Sequence, residues 1–256
     1  MIIAGMIIGN VRLSASKNLF PYILTLGDDV NMKDVLYGAC ERGHVEMTEY
    51  SISKGANDLN GGLLVACSYG HKEIAELLLS KGADDLNVGL RDACESGHIK
   101  VVDLLISKGA DDLNDGLYYA CMYDHKKIVE LLISRGADDL NSGLYIACEC
   151  DNMQVVDLLI SKGANDLNGG LHAACTHGCI KIVDFLISKG ADDLNGGLES
   201  ACDTNYRFAA VINNLKEIIN LLISKGADDL NSGLCSAIDH NNQDLINFMI
   251  SKGANF

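Results

Sequence analysis

The stretch Leu77-Leu78-Leu79-Ser80-Lys81-Gly82-Ala83-Asp84-Asp85-Leu86-Asn87 recurs along the chain almost letter for letter, as in Lys108-Gly109-Ala110-Asp111-Asp112-Leu113-Asn114. Gly55, Gly82, Gly109, Gly136, Gly163 and Gly190 each stand 27 residues from the next; Gly226 follows after 36 and Gly253 after another 27. A fixed period of this size constrains the fold before any other feature does. One unit is too short to bury an apolar face by itself, so stacked neighbours must bury it.

Within a unit, Leu63, Ala66 and Cys67 fall at i, i+3, i+4, which is one face of a helix. Gly70 follows as a helix stop that accepts the left-handed conformation. Ile74, Leu77 and Leu78 make a second stripe at the same spacing, closed by Gly82. Asp84, Asp85 and Asn87 form the next turn, with Asn60 and Asn87 as expected helix caps. Each unit reads as helix, tight turn, helix, loop. The three-and-four spacing excludes the leucine-rich repeat, whose strand needs the alternation L-x-x-L-x-L.

The units begin near Met32, Asn60, Asn87, Asn114, Asn141, Asn168, Asn195 and Asn231. The expected organisation is an N-terminal cap or degenerate repeat over 1–31, then an array over 32–256 whose last repeat is 231–256. In the cap, Leu19, Tyr22, Ile23 and Leu26 suggest a helix ending at Gly27. The seventh repeat carries an insertion within 203–214 that includes Tyr206, Arg207 and Phe208. The last repeat lacks a following neighbour, so Met249 and Phe256 are expected to be partly exposed.

The net charge of -15 argues against nucleic acid, because phosphates need a basic footprint. It suits a soluble protein with a basic partner. The apolar start Met1–Gly9 is far shorter than the roughly 20 residues of a spanning helix and lacks a basic leader, so no membrane association is expected. Cys40, Cys67, Cys94, Cys121, Cys148, Cys175 and Cys202 hold equivalent positions. Stacked helices lie about 8–10 Å apart, too far for disulfides, which need α-carbons within about 7 Å. These cysteines are expected to be buried fillers in a reducing, cytoplasmic compartment. Cys150, Cys179 and Cys235 lie off this ladder and are expected to react first with thiol reagents.

The pattern Gly62-Leu63-x-x-Ala66-Cys67-x-x-Gly70-His71-x-x-Ile74-x-x-Leu77-Leu78-x-x-x-Gly82-Ala83-Asp84 resembles the ankyrin repeat. Gly43-His44, Gly70-His71 and Gly97-His98 match the family's G-H pair. Two features depart from it: a pair such as Gly61-Gly62 replaces Thr-Pro, and cysteine replaces the second alanine. The period is also shorter than the family's, and the residues missing are those of its β-hairpin finger. The short-finger form looks like the ankyrin arrays of giant DNA viruses. The resemblance implies an all-α, ankyrin-type helix-turn-helix solenoid of about eight repeats with short loops.

It also implies a non-catalytic adaptor or scaffold, a monomer without cofactor or metal, that binds another protein through its concave first-helix face; if viral, it acts in the host cytoplasm. The positions that vary between units flank the Leu and Cys of the first helix. By resemblance, contact roles fall to Tyr69, Arg91, Glu95, Tyr118, Met122, Tyr123, Tyr145, Glu149, His172 and His177. Tyr119 is the ring most expected to pack between repeats. The expected docking region is the fourth and fifth repeats.

Two alternatives stand beside this reading. One is a metal-binding or redox protein using Cys150, His177 and Cys179; the other is a structural spacer. Calcium in the Asp-Asp-Leu-Asn loops is disfavoured because the loop is already explained as a turn. His44, His71, His98 and His125 recur in register, which signals structure rather than catalysis.

Overall fold

The computed structural model describes residues 31–204 and 209–255. The expected helix before Gly27, the tip of the insertion at Tyr206 to Phe208, and Phe256 lie outside the described residues. The described residues form helices and turns with no strand, so no repeat carries a β-hairpin finger. The reason is length: the connection from Gly82 to the start of the next helix holds only turn and cap residues.

The first helices of the repeats are α1 (Met32–Arg42), α3 (Leu59–Ser68), α5 (Leu86–Glu95), α7 (Leu113–Met122), α9 (Leu140–Glu149), α11 (Leu167–His177), α13 (Leu194–Cys202) and α15 (Leu230–Asp239). Their partners are α2 (Val45–Ser53), α4 (Lys72–Ser80), α6 (Ile99–Ser107), α8 (Lys126–Arg135), α10 (Met153–Lys162), α12 (Ile180–Lys189), α14 (Ala209–Lys225) and α16 (Gln243–Ser251). The described chain divides into two compact units. One holds residues up to Tyr119 together with Glu130–Gly136; the other holds Ala120–Val129 and residues from Ala137 onward. In the first unit α1, α3 and α5 pack in sequence, and in the second α9, α11, α13 and α15 do.

The core of each unit is the expected ladder. Leu63, Ala66, Cys67 and Leu78 are fully buried, as are Leu171, Ala174, Cys175 and Leu186. The cysteine ladder has a partner that sequence reading missed. A β-carbon added to Gly89 would stand 3.1 Å from the sulfur of Cys67, and one on Gly170 would stand 3.2 Å from the sulfur of Cys148. Each ladder sulfur therefore presses on the glycine of the following first helix. That explains why glycine, rather than the family's proline, precedes the leucine.

Two polar latches join successive repeats. The first corrects the expectation that Asn60 and Asn87 cap helices. Aspartate does the capping: Asp58 accepts from Gly61 N at 3.0 Å and Asp166 from Gly169 N at 2.9 Å. The asparagine sits one position inside the helix and reaches into the next loop. Asn60 Oδ1 accepts from Asp84 N at 2.8 Å, while its Nδ2 donates to Asp84 Oδ1 at 2.9 Å. Asn87, Asn168 and Asn195 repeat the arrangement on Asp111, Asp192 and Asp228.

The second latch is the residue after the turn. His71 Nε2 donates to the Glu41 carbonyl and His98 Nε2 to the Ser68 carbonyl, each at 3.0 Å. Asn152 fills this role with bonds to the carbonyls of Cys121 and Met122 at 2.8 and 2.9 Å. Latch and turn are matched in size. A β-carbon on Gly70 would lie 2.5 Å from the His98 ring, so glycine is required beneath histidine. Where the next latch is the smaller Asn152 or Cys179, the turn residue is Asp124 or Asp151, held at φ 59°.

The remaining corrections follow from the same packing. Cys179 occupies the latch position, its Sγ 3.8 Å from the Glu149 carbonyl, and is only 6% exposed; it is not a reactive surface thiol. Met249 is fully buried because it packs under its own repeat's first helix, with its methyl 3.0 Å from the β-carbon position of Gly233. The insertion lengthens α14 to 17 residues, against 10 for α12.

Candidate interaction face

The residues free of stacking duty lie on the first helices and the turns after them. Tyr69 caps the end of α3 and is 53% exposed. Tyr123 follows α7 at 46% exposed, and Tyr145 stands on α9 at 47%. Arg91 and Glu95 on α5, Tyr118 and Met122 on α7, Glu149 on α9, and His172 and His177 on α11 are half-buried.

Several of these bond to one another or to neighbours. In the first unit, Arg91 Nη2 lies 3.2 Å from Asp92 Oδ1, and the guanidinium lies 5.9 Å from the Tyr119 ring centre. Tyr119 meets Tyr118 edge-to-face at 5.5 Å. Burial holds the Asp92 carboxyl above its usual range, with Glu95 adding to the shift and Arg91 opposing it. In the second unit, His177 Nε2 faces Glu149 Oε1 at 3.6 Å, and His172 Nε2 lies 2.9 Å from Asp193 Oδ2. Both pairs bridge successive repeats.

Asp92 and Asp193 are the members that sequence reading missed, whereas Tyr119, the ring expected to pack between repeats, faces Arg91 of the preceding repeat. The His172–Asp193 bridge has a counterpart in the first unit: Tyr37 Oη donates to Asp58 at 2.6 Å across the same 21-residue offset. Lys33 also bonds Asp58 and is the largest cause of holding that carboxyl at about 2; Tyr37 and the Gly61 N–H reinforce the shift.

The off-ladder set Cys150, His177 and Cys179 is not gathered into a ligand shell. Cys150 is exposed while Cys179 is buried, and no three His, Cys, Asp or Glu side chains converge on a metal position among the described residues. All ten cysteines are free thiols. Among the described residues, no helix is long and apolar enough to cross a membrane.

With helix pairs, G-H turns and latches in place, comparison with known families is decisive. The model described as ankyrin repeats (3 copies) matches residues 11–92, 87–142 and 117–195. The chain belongs to the ankyrin repeat family. Ankyrin repeats mediate protein–protein interaction, so the exposed first-helix residues are the candidate contact surface. Among solved structures, the chain is similar to the human ASB11 ankyrin repeat domain, with a TM-score of 0.56 and 22% identity. That likeness covers 73% of this chain and 96% of the other, and it speaks for the fold alone. No curated protein sequence matches the chain.

Proposed function

We propose that this ankyrin repeat protein is an adaptor or scaffold that docks another protein on its first-helix face and performs no chemistry itself. The observation that carries the reading is the exposure of Tyr69, Tyr123 and Tyr145, at 53%, 46% and 47%, on or directly after first helices whose stacking positions are fully buried. Tyrosine gives a large contact area at little entropic cost and is enriched at binding hot spots. In the first unit Arg91, paired with Asp92, accompanies Tyr69; in the second Glu149, His172 and His177, each in a side-chain pair, accompany Tyr123 and Tyr145. Tyr118, Met122 and Glu95 complete the contact set. The short 27-residue period resembles the ankyrin arrays of giant DNA viruses, and on that resemblance the adaptor would be a viral protein acting on host proteins in the host cytoplasm.

The test measures binding and melting on the same variants, using a partner recovered from lysate and then purified. Tyr145→Ala should weaken binding by at least about 1–2 kcal/mol, the hot-spot scale, and move stability by no more than about 0.5–1 kcal/mol, as expected for a surface ring. Unchanged affinity together with a large fall in melting temperature would make the ring part of the core and remove the interface.

A further inference from the structure

The second unit sorts its charge by layer. Its first helices α9, α11, α13 and α15 contain no lysine or arginine. Every lysine described in that unit lies on, or directly after, a second helix: Lys126, Lys127, Lys162, Lys181, Lys189, Lys216, Lys225 and Lys252. The first-helix layer instead bears Glu149, Glu199, Asp203 and Asp239 in or directly after its helices, and the last three are exposed. Among its described residues, the groups able to become cationic are three imidazoles, each already facing a carboxylate. His172 meets Asp193 at 2.9 Å, His177 meets Glu149 at 3.6 Å and His240 meets Asp203 at 3.1 Å.

The second helices of this unit carry lysine beside their acids, and there Lys225 Nζ lies 3.3 Å from Asp184 Oδ1. Since α9, α11, α13 and α15 pack in sequence, the exposed carboxylates of Glu199 and Asp239 share one face with the exposed ring of Tyr145.

From this we infer that the first-helix face of the second unit receives a lysine- or arginine-bearing segment of a partner protein. The inference rests on the docking reading above and names the chemistry of what docks. Unmatched carboxylates raise the local concentration of a cationic segment and orient it. The exposed Tyr145 ring, two repeats earlier on the same first-helix layer, offers its face to an ammonium or guanidinium group. Excluding lysine and arginine from the layer keeps the protein's own cations from occupying those carboxylates. The same field repels nucleic acid and acidic segments.

The experiment selects a random dodecapeptide library on the full-length chain, then measures the enriched peptides by fluorescence anisotropy at two salt concentrations. The expected result is enrichment in lysine and arginine, with affinity lowered at least tenfold by Glu199→Lys together with Asp239→Lys. Asp157→Lys, on the second-helix layer, should change affinity less than twofold, and added salt should weaken binding. Equal losses for both charge reversals would reduce the effect to net charge and overturn the inference. Peptides that need Tyr145 but show no basic enrichment would overturn it while leaving the docking reading intact. Peptides insensitive to Tyr145→Ala and to the Glu199/Asp239 pair alike would overturn both.

Discussion

Asn168 Oδ1 accepts hydrogen bonds from the backbone N–H groups of Asp192 and Asp193 at 3.0 and 3.1 Å, one repeat further along the chain. The side-chain nitrogen completes the contact by donating to Asp192 Oδ1 at 3.0 Å. One amide thus satisfies two backbone donors of a loop that has no strand to pair with. In a repeat without a β-hairpin finger, this latch supplies the loop-to-loop order that a finger would otherwise provide.

Removing it has a defined cost. Asn168→Ala leaves two N–H groups to water at a partly exposed site, so stability should fall by about 1–2 kcal/mol, on the scale of a few net hydrogen bonds. Asn168→Asp keeps the acceptors but sets a carboxylate against Asp192, so it should not restore stability at neutral pH. Urea unfolding of the two variants separates these outcomes; a wild-type midpoint for Asn168→Asp would show that the Nδ2 donor contributes nothing.

The asparagine also shows where reading the sequence stops. The period, the helix pairs, the buried ladder and the half-exposed tyrosines follow from spacing within one repeat, and spacing is local. Asn60 looks like a cap because caps are local too, yet its bonds reach residues 24 and 25 positions away. Cys179 was grouped with Cys150 by residue type, although alignment of Gly70-His71 with Gly178-Cys179 places it at the latch. The bridges between His172 and Asp193 and between His177 and Glu149 depend on how one repeat is set against the next, which composition does not encode.

The fit of Cys67 against Gly89 predicts a coupling. Alanine ordinarily favours a helix interior over glycine by about 0.8–1.0 kcal/mol. Here the added methyl would meet a sulfur at 3.1 Å, and overpacking of a tight core costs about 1–3 kcal/mol. Gly89→Ala should therefore destabilise the wild-type protein and stabilise the Cys67→Ala background. A double-mutant cycle by chemical denaturation checks the change of sign; additive effects would mean that sulfur and glycine are not in register.

The turn residues predict opposite outcomes at two equivalent sites. Gly70 has φ +76° beneath the His98 ring, so Gly70→Ala combines backbone strain with a clash and should cost at least about 2 kcal/mol. Asp151 already holds the left-handed conformation at φ 59° beneath the smaller Cys179. Asp151→Gly should thus stabilise by up to about 1 kcal/mol, because glycine enters that region without a steric penalty. Melting temperatures of the two variants should move in opposite directions.

The ladder thiols carry the last prediction, which concerns alkaline pH. Burial raises Cys40, Cys67, Cys121, Cys148 and Cys202 from 9.0 to about 12, and pushes Cys94 and Cys175 up as well. Native protein should accordingly label first at exposed Cys150 and Cys235, while Cys179, buried at the latch position, should label as slowly as the ladder thiols. Unfolding returns each ladder thiol to its ordinary range. Between about pH 9 and 12 the unfolded chain has then released protons that the folded chain retains, so rising pH favours unfolding. Each thiol contributes a loss approaching about 1.4 kcal/mol per pH unit. Several acting together match the whole stability of a typical domain, about 5–15 kcal/mol, within one or two pH units. Cooperative unfolding should therefore begin at about pH 10 under reducing conditions. Cys148→Ala should lower stability at pH 7 through lost packing, yet flatten the fall of stability with pH by one thiol's share. Urea titrations of both proteins between about pH 8 and 10.5 measure the two slopes, and equal slopes would show that the Cys148 thiol does not drive the alkaline loss.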